Sequence, residues 1–238
     1  MSIYIQFDNS WKKIAVSLSG GADSALLTYL VCDYILKNKL NVELHTISHI
    51  RCWKTKPWQQ YDSIRVFEFL KLKFPTIEFF RHENFIAPEL EYDNIGASLV
   101  DEYNKKVSGD NIQQRAFAEY LCTKLDIDAY FNGVTKNPEP LQSEGMDSRN
   151  ISKSAENCYL EYMTHMEKVV AHPFRFIDKS EIYRAYKEHN ILDLFEITRS
   201  CEGTFSNITY KSYTPYQEVP ECGECFWCKE RKWAIEQD

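Results

Sequence analysis

Apolar positions along this chain fall into short dense runs separated by longer stripes of helical spacing. From Lys13 the order Lys-Ile-Ala-Val-Ser-Leu is a short apolar run closed by Gly20-Gly21, the pattern of a buried parallel strand over 14–18. The stretch 25–36 that follows is too long for a strand and apolar nearly all round, which predicts a buried helix beginning near Ser24. Residues 42–50 read as a second strand, 61–72 as a helix carrying Ile64, Phe67 and Leu70, and 76–80 as a third strand behind Pro75. An amphipathic helix over 112–125 and a strand over 128–134, ending at Asn132-Gly133, continue the alternation.

Strand and helix in alternation predict an α/β fold, a parallel twisted sheet with helices on both faces. The more polar stretches 83–110 and 135–170 read as loops or small helices over one end of the sheet, where open α/β folds hold their ligands. A last core helix is expected over 178–189, opened by a capping box in Asp178-Lys-Ser-Glu181. The expected division is an α/β domain over 1–195 and a small cysteine-bearing module over 196–238.

The chemistry gathers first at Ser17-Leu18-Ser19-Gly20-Gly21-Ala22-Asp23-Ser24. Two glycines between a strand and a helix let successive N–H groups converge on an anion, and the helix N-terminus adds donors and partial positive charge. The hydroxyls of Ser19 and Ser24 supply further donors. Asp23 is an odd neighbour for phosphate unless it holds Mg²⁺ or caps the helix. No lysine follows the glycines, so this is not the Walker loop.

A second centre lies in Cys222-Gly-Glu-Cys225-Phe-Trp-Cys228, with Cys201 upstream in Thr198-Arg-Ser-Cys201. Three thiolates in one turn and a fourth from a separate segment suit a tetrahedral Zn²⁺, whose closed shell makes it structural; an iron-sulfur cluster or buried free thiols are the other readings. Cys32 and Cys122 read as core residues on helices, and Cys52 and Cys158 stand apart.

Charge narrows the partners. A net charge of −7 over 238 residues opposes general affinity for nucleic acid. One basic stretch, Arg51-Cys-Trp53-Lys54-Thr-Lys56, mixes cations with an aromatic and reads as a solvated loop before it reads as a phosphate or RNA contact. Eight cysteines, no signal-like start and no run of 18 apolar residues give the expectation of a soluble cytoplasmic protein.

The phosphate-loop string resembles the N-type ATP pyrophosphatase (PP-loop) superfamily, and the resemblance implies an adenine-nucleotide-hydrolase-like sheet, ATP as cosubstrate and loss of pyrophosphate. Together with the terminal cysteines and His172-Pro173-Phe-Arg-Phe-Ile-Asp178-Lys179-Ser-Glu181, the chain is similar over about 12–232 to the 7-cyano-7-deazaguanine synthase family. That similarity implies a C–N-forming ligase of queuosine biosynthesis that adenylates the carboxylate of a 7-deazaguanine-type small molecule, takes up ammonia and yields the nitrile, in proteins that often form homodimers. It implies catalytic roles for Asp23, for Lys179 as a cation against the phosphates, and for Arg115 facing the nucleotide.

Two segments depart from the family. Ser48-His49-Ile50-Arg51-Cys52-Trp53 replaces its Asp-Tyr-Gly-Gln-type segment, and Met146-Asp147-Ser148-Arg149 is a distant echo of its substrate loop. His49 reads as a rim residue or a general base, and Tyr210, Tyr213 and Tyr216 as stacking or packing groups. Two further functions remain open from the residues: an RNA sulfur-transfer enzyme, and an ATP-binding subunit that modifies or senses a partner protein.

Overall fold

Lys13–Ser17 forms the central strand β1, and Gly21 then starts α1, Ala22–Lys37, two residues earlier than the pattern predicts. This is a computed structural model, and it describes residue 3 and residues 5–50, 58–85, 109–138, 160–162, 168–203 and 220–237. In order follow β2, Glu43–Ile50; α2, Gln59–Lys73; β3, Glu78–Phe85; α3, Gly109–Leu125; β4, Ala129–Phe131; β5, Leu160–Tyr162; and β6, Val169–Ala171. Helices α4, Lys179–Glu188, α5, Leu192–Glu196, and α6, Phe226–Glu236, are the remaining elements among the described residues.

The six strands make one sheet in the order β3-β2-β1-β4-β6-β5, parallel throughout except for β5, which pairs antiparallel with β6. One face carries the larger core, where Ile14, Val16 and Leu44 meet α1, α2, α4 and α5; on the other, Ala15, Ile47 and Tyr130 meet α3. The expected parallel α/β architecture, with helices on both faces, is therefore observed. No helix among the described residues is long and apolar enough to cross a membrane.

Several elements differ from expectation. β3 runs to Phe85, through the polar residues Arg81, His82, Glu83 and Asn84. Its partners on β2 explain this: Arg81 donates to Ser48 Oγ at 3.0 Å, His82 Nε2 lies 3.0 Å from His45 Nδ1, and Asn84 Nδ2 lies 3.1 Å from His49 Nδ1. A strand whose side chains are paired across the ladder needs no apolar alternation.

β5 and β6 lie inside stretches expected to be irregular or left unassigned. Three residues each give too short a run for periodicity to register, and their order comes from pairing with β4 and with each other. α6 arises inside the cysteine-bearing tail, with Cys225 at its N-cap position. Arg231 fixes it: its guanidinium donates to Phe195 O and Thr198 Oγ1 at 2.9 Å each and lies 3.8 Å from the Phe195 ring centroid. The basic stretch with Arg51, Cys52 and Trp53, the echo at Met146 to Arg149, Cys158, and Tyr210, Tyr213 and Tyr216 lie outside the described residues.

Candidate active site

The C-terminal ends of β1 and β4 open onto a cleft of about 330 Å³. Its floor is the phosphate loop, with Ser17, Ser19, Gly21, Asp23 and Ser24 on the wall, and Asn132, Gly133 and Thr135 after β4 face them. The remaining sides come from Trp58, Gln59 and Asp62 of α2 and its start, Lys179 of α4, and Arg199 to Glu202 with Trp227 from the C-terminal part.

The loop is held in shape by its own hydroxyls. Ser19 N–H donates to Ser24 Oγ at 3.1 Å, the Ser24 hydroxyl donates to Gly21 O at 3.0 Å, and Gly21 N–H donates to Ser19 Oγ at 3.3 Å. Gly20 sits at φ +84°, and a Cβ there would come within 2.7 Å of the Asp62 backbone, so α2 packs directly on the loop. Leu18, Gly20 and Ala22 do not line the cleft. Leu18 is buried with its N–H donating to Ile47 O and its carbonyl accepting from Ser48, while the Ala22 carbonyl accepts from the buried Tyr186 hydroxyl at 2.6 Å. Burial, with Asp23 nearby, pushes the Tyr186 phenol well above its ordinary range, so it remains a donor.

Asp23 does not cap the helix as one of its sequence readings allowed: α1 has no side-chain cap, and its Gly21 N-cap leaves the first turn's donors to other partners. Asp23 instead pairs with Lys179, which is only 6% exposed. Its Oδ1 is buried with no hydrogen-bond partner among the described residues. That spare carboxylate oxygen suits a cation or a donor arriving with a ligand.

Lys179 reaches the cleft because the capping box forms as expected. Asp178 Oδ1 accepts from Ser180 N–H at 3.0 Å and Glu181 N–H at 3.4 Å, and Glu181 Oε2 accepts from Asp178 N–H at 3.0 Å. The box fixes the first turn of α4, and Lys179 is its first helical residue. Arg115 is not among the residues of the cleft. Its side chain is 58% exposed on α3, where its Nε donates to Glu119 Oε1 at 2.9 Å, one turn along the same helix. His49 lies buried at the end of β2 beside Asn84, away from the lining.

The four cysteines converge: the Sγ atoms of Cys201, Cys222, Cys225 and Cys228 all lie within 4.8 Å of one another. Gly203 is required here, since any Cβ would overlap Cys222 Sγ. Backbone donors meet two of the sulfurs, with Gly203 and Cys222 N–H on Cys201 Sγ at 3.4 and 3.3 Å and Cys225 N–H on Cys222 Sγ at 3.3 Å. Burial raises the Cys222 thiol, but the N–H groups of Cys225 and Glu224 outweigh it and bring it down to about 7. The arrangement can hold a metal ion.

This cluster forms part of the cleft wall. Trp58 Nε1 donates to Cys201 O at 3.0 Å, and the indole packs on Cys201 and Cys228. Sequence reasoning missed Trp58, Asp62 and Arg199. The signal available for Arg199 was its place two residues before Cys201, a candidate metal ligand; Trp58 and Asp62 carry none without the fold.

Residues 13–238 match the family described as Queuosine biosynthesis protein QueC. No curated protein matches the chain. Among solved structures it is similar to the U34-tRNA thiolase NcsA from Methanococcus maripaludis, solved with its 4Fe-4S cluster, at 16% identity and TM-score 0.48, over 95% of this chain. It spans 65% of the length of that thiolase. It is similar also to NMN synthetase from Francisella tularensis, at 15% identity and TM-score 0.42, over 96% of this chain and 85% of the other. A third is the phosphoadenylyl-sulfate reductase from Candida auris in a phosphate complex, at 13% identity and TM-score 0.41, over 85% and 84%. Because the match begins at the first residue of β1 and takes in the glycine loop, α4 and all four cysteines, the chain belongs to the queuosine biosynthesis protein QueC family.

Proposed function

We propose that this chain activates the carboxylate of a 7-carboxy-7-deazaguanine-type substrate with ATP, and converts it with ammonia to the amide and then to the nitrile. The observation that carries the reading is the convergence of the glycine loop, the buried Lys179 and Asp23 on one cleft at the ends of parallel strands.

In the first step a carboxylate oxygen attacks the α-phosphorus of ATP and pyrophosphate leaves. Ammonia then adds to the acyl carbon and AMP departs with that oxygen, giving the amide. A second ATP takes the amide oxygen in the same way with loss of pyrophosphate, and the departure of AMP with that oxygen and of both amide protons leaves the nitrile. The loop's N–H groups suit the phosphates, and Lys179 suits the charge that grows on the departing pyrophosphate. Mg²⁺ accompanying ATP would be held by Asp23, whose Oδ1 lacks a partner among the described residues.

The four cysteines favour structural Zn²⁺. Zn–S bonds of about 2.3 Å in a tetrahedron place sulfurs roughly 3.8 Å apart, in keeping with thiols all within 4.8 Å. A four-iron cluster interposes more atoms between its thiolates and needs them further apart. Residues 196–238 then act as the metal module of the enzyme. Sulfur transfer needs a nucleophilic thiol, and the other described cysteines do not offer one: burial pushes Cys32 well above its ordinary range and Cys122 to about 11.

The test is pyrophosphate and AMP release from ATP and Mg²⁺, with and without 7-carboxy-7-deazaguanine and ammonium, with products weighed by mass spectrometry. Nitrile formation is the expected result. Pyrophosphate release that ignores the deazaguanine would discard this acceptor and keep the adenylation.

A further inference from the structure

Arg199 is a buried cation with donors to spare. Its side chain is 7% exposed and lines the cleft, yet Nε and Nη2 have no hydrogen-bond partner among the described residues. The nearest carboxylate oxygen, Asp62 Oδ2, stands 4.0 Å from Nε, beyond hydrogen-bond reach, while Asp62 Oδ1 already accepts from Arg65 Nη2 at 3.1 Å. Two guanidinium groups thus share one carboxylate, and Asp62 leaves the Arg199 fork without a hydrogen bond from either Nε or Nη2. A buried, under-bonded cation is costly unless a ligand completes it.

Its position says which ligand. The Arg199 main-chain N–H donates to Gly20 O at 2.9 Å, and its carbonyl lies 3.4 Å from where a Cβ of Gly21 would stand, so the arginine is fastened to the phosphate loop itself. The Trp58 ring, with its centroid 4.5 Å from the guanidinium carbon, holds the plane of the fork. A planar pair of N–H donors on a rigid backing matches two oxygens of a phosphate.

We infer that Arg199 is a further binding residue of the cleft, receiving the pyrophosphate portion of ATP opposite the glycine loop and holding it as it leaves. This rests on the reading of the cleft as an ATP site. Lys179 approaches from α4 and Arg199 from the chain leading into Cys201, so the metal module supplies one of the two cations around the leaving group.

Calorimetric titration of the purified protein with inorganic pyrophosphate plus Mg²⁺, and separately with AMP, tests this. Arg199→Met is expected to weaken pyrophosphate binding about 10- to 100-fold, the loss of charge-assisted hydrogen bonds, while AMP affinity stays unchanged. Arg199→Lys keeps a charge beside Asp62 and serves if the methionine variant does not fold; it should still lose about threefold or more, since a point charge replaces the fork. Full pyrophosphate affinity in a folded variant would overturn the assignment. So would an equal loss for AMP, which puts the guanidinium at the α-phosphate, or a raised KM for the carboxylate substrate alone. Wild-type protein that binds neither pyrophosphate nor ATP would overturn the ATP reading and this assignment together.

Discussion

Lys179 is the residue on which the cleft's electrostatics turn. A lysine this buried needs an opposite partner to offset its desolvation, and Asp23 supplies it. When a triphosphate enters, its oxygens can take over that ammonium and leave Asp23 to face a cation. Lys179→Met should therefore cut pyrophosphate release by about 100- to 1,000-fold, the range for removing one transition-state donor, with the folded state retained. Asp23→Asn keeps an acceptor for the ammonium, so its cost to stability should stay near about 1–2 kcal/mol while turnover falls at least as far. Steady-state pyrophosphate release beside a thermal melt separates the two quantities; a lysine variant that turns over normally would remove Lys179 from the chemistry. Both residues were legible in sequence as members of the cleft, Asp23 from the loop string and Lys179 from the motif running from His172 to Glu181. Arg115 was not, because a helical arginine satisfies itself one turn away on Glu119, and no local pattern announces that.

Elements that pack on the loop matter as much as the loop's own residues. Gly20 combines φ +84° with the backbone of Asp62 where a Cβ would go, so Gly20→Ala has to distort either the loop or the start of α2. The left-handed backbone alone costs about 1–2 kcal/mol. With the clash added, a loss of roughly 2–4 kcal/mol is expected, visible as a lower denaturant midpoint with an unchanged slope. A variant as stable as wild type would mean that α2 and the loop are not in contact in solution. The helices and strands that build this region were readable from the sequence pattern: β1, α1, β2 and α2 all formed within two residues of where apolar spacing put them. What lay hidden was made by pairing between distant residues. β3 continues through Arg81 to Asn84 because β2 offers a partner for each, and β6 exists because β4 needs a neighbour; neither cause is present in a local window of sequence.

At the scale of the whole molecule, the cysteine cluster and the phosphate loop are one construction. Trp58 bonds the carbonyl of Cys201, Arg199 two residues earlier bonds Gly20, and Trp227 on α6 lines the same cleft. The spacing of the cysteines pointed to a candidate metal site, yet nothing in that spacing told that the cluster would stand behind the wall of the cleft. The consequence is a coupling: a metal that orders residues 199–203 and 220–228 also orders the anion-binding surface. Stripping the metal by chelation under reducing conditions, or Cys225→Ser, should lower the melting temperature by about 6–12 °C, the shift that a loss near 3 kcal/mol gives in a chain of this size. It should also weaken ATP, so that saturating nucleotide no longer raises the melting temperature of the stripped protein as it does that of the loaded one. Melting curves with and without ATP and Mg²⁺, beside metal analysis of each sample, decide it. If the stripped protein melts lower but ATP still shifts its melting by the full amount, the module stabilises the fold without shaping the site. If the melting temperature does not move at all, the cluster carries no metal that the fold depends on.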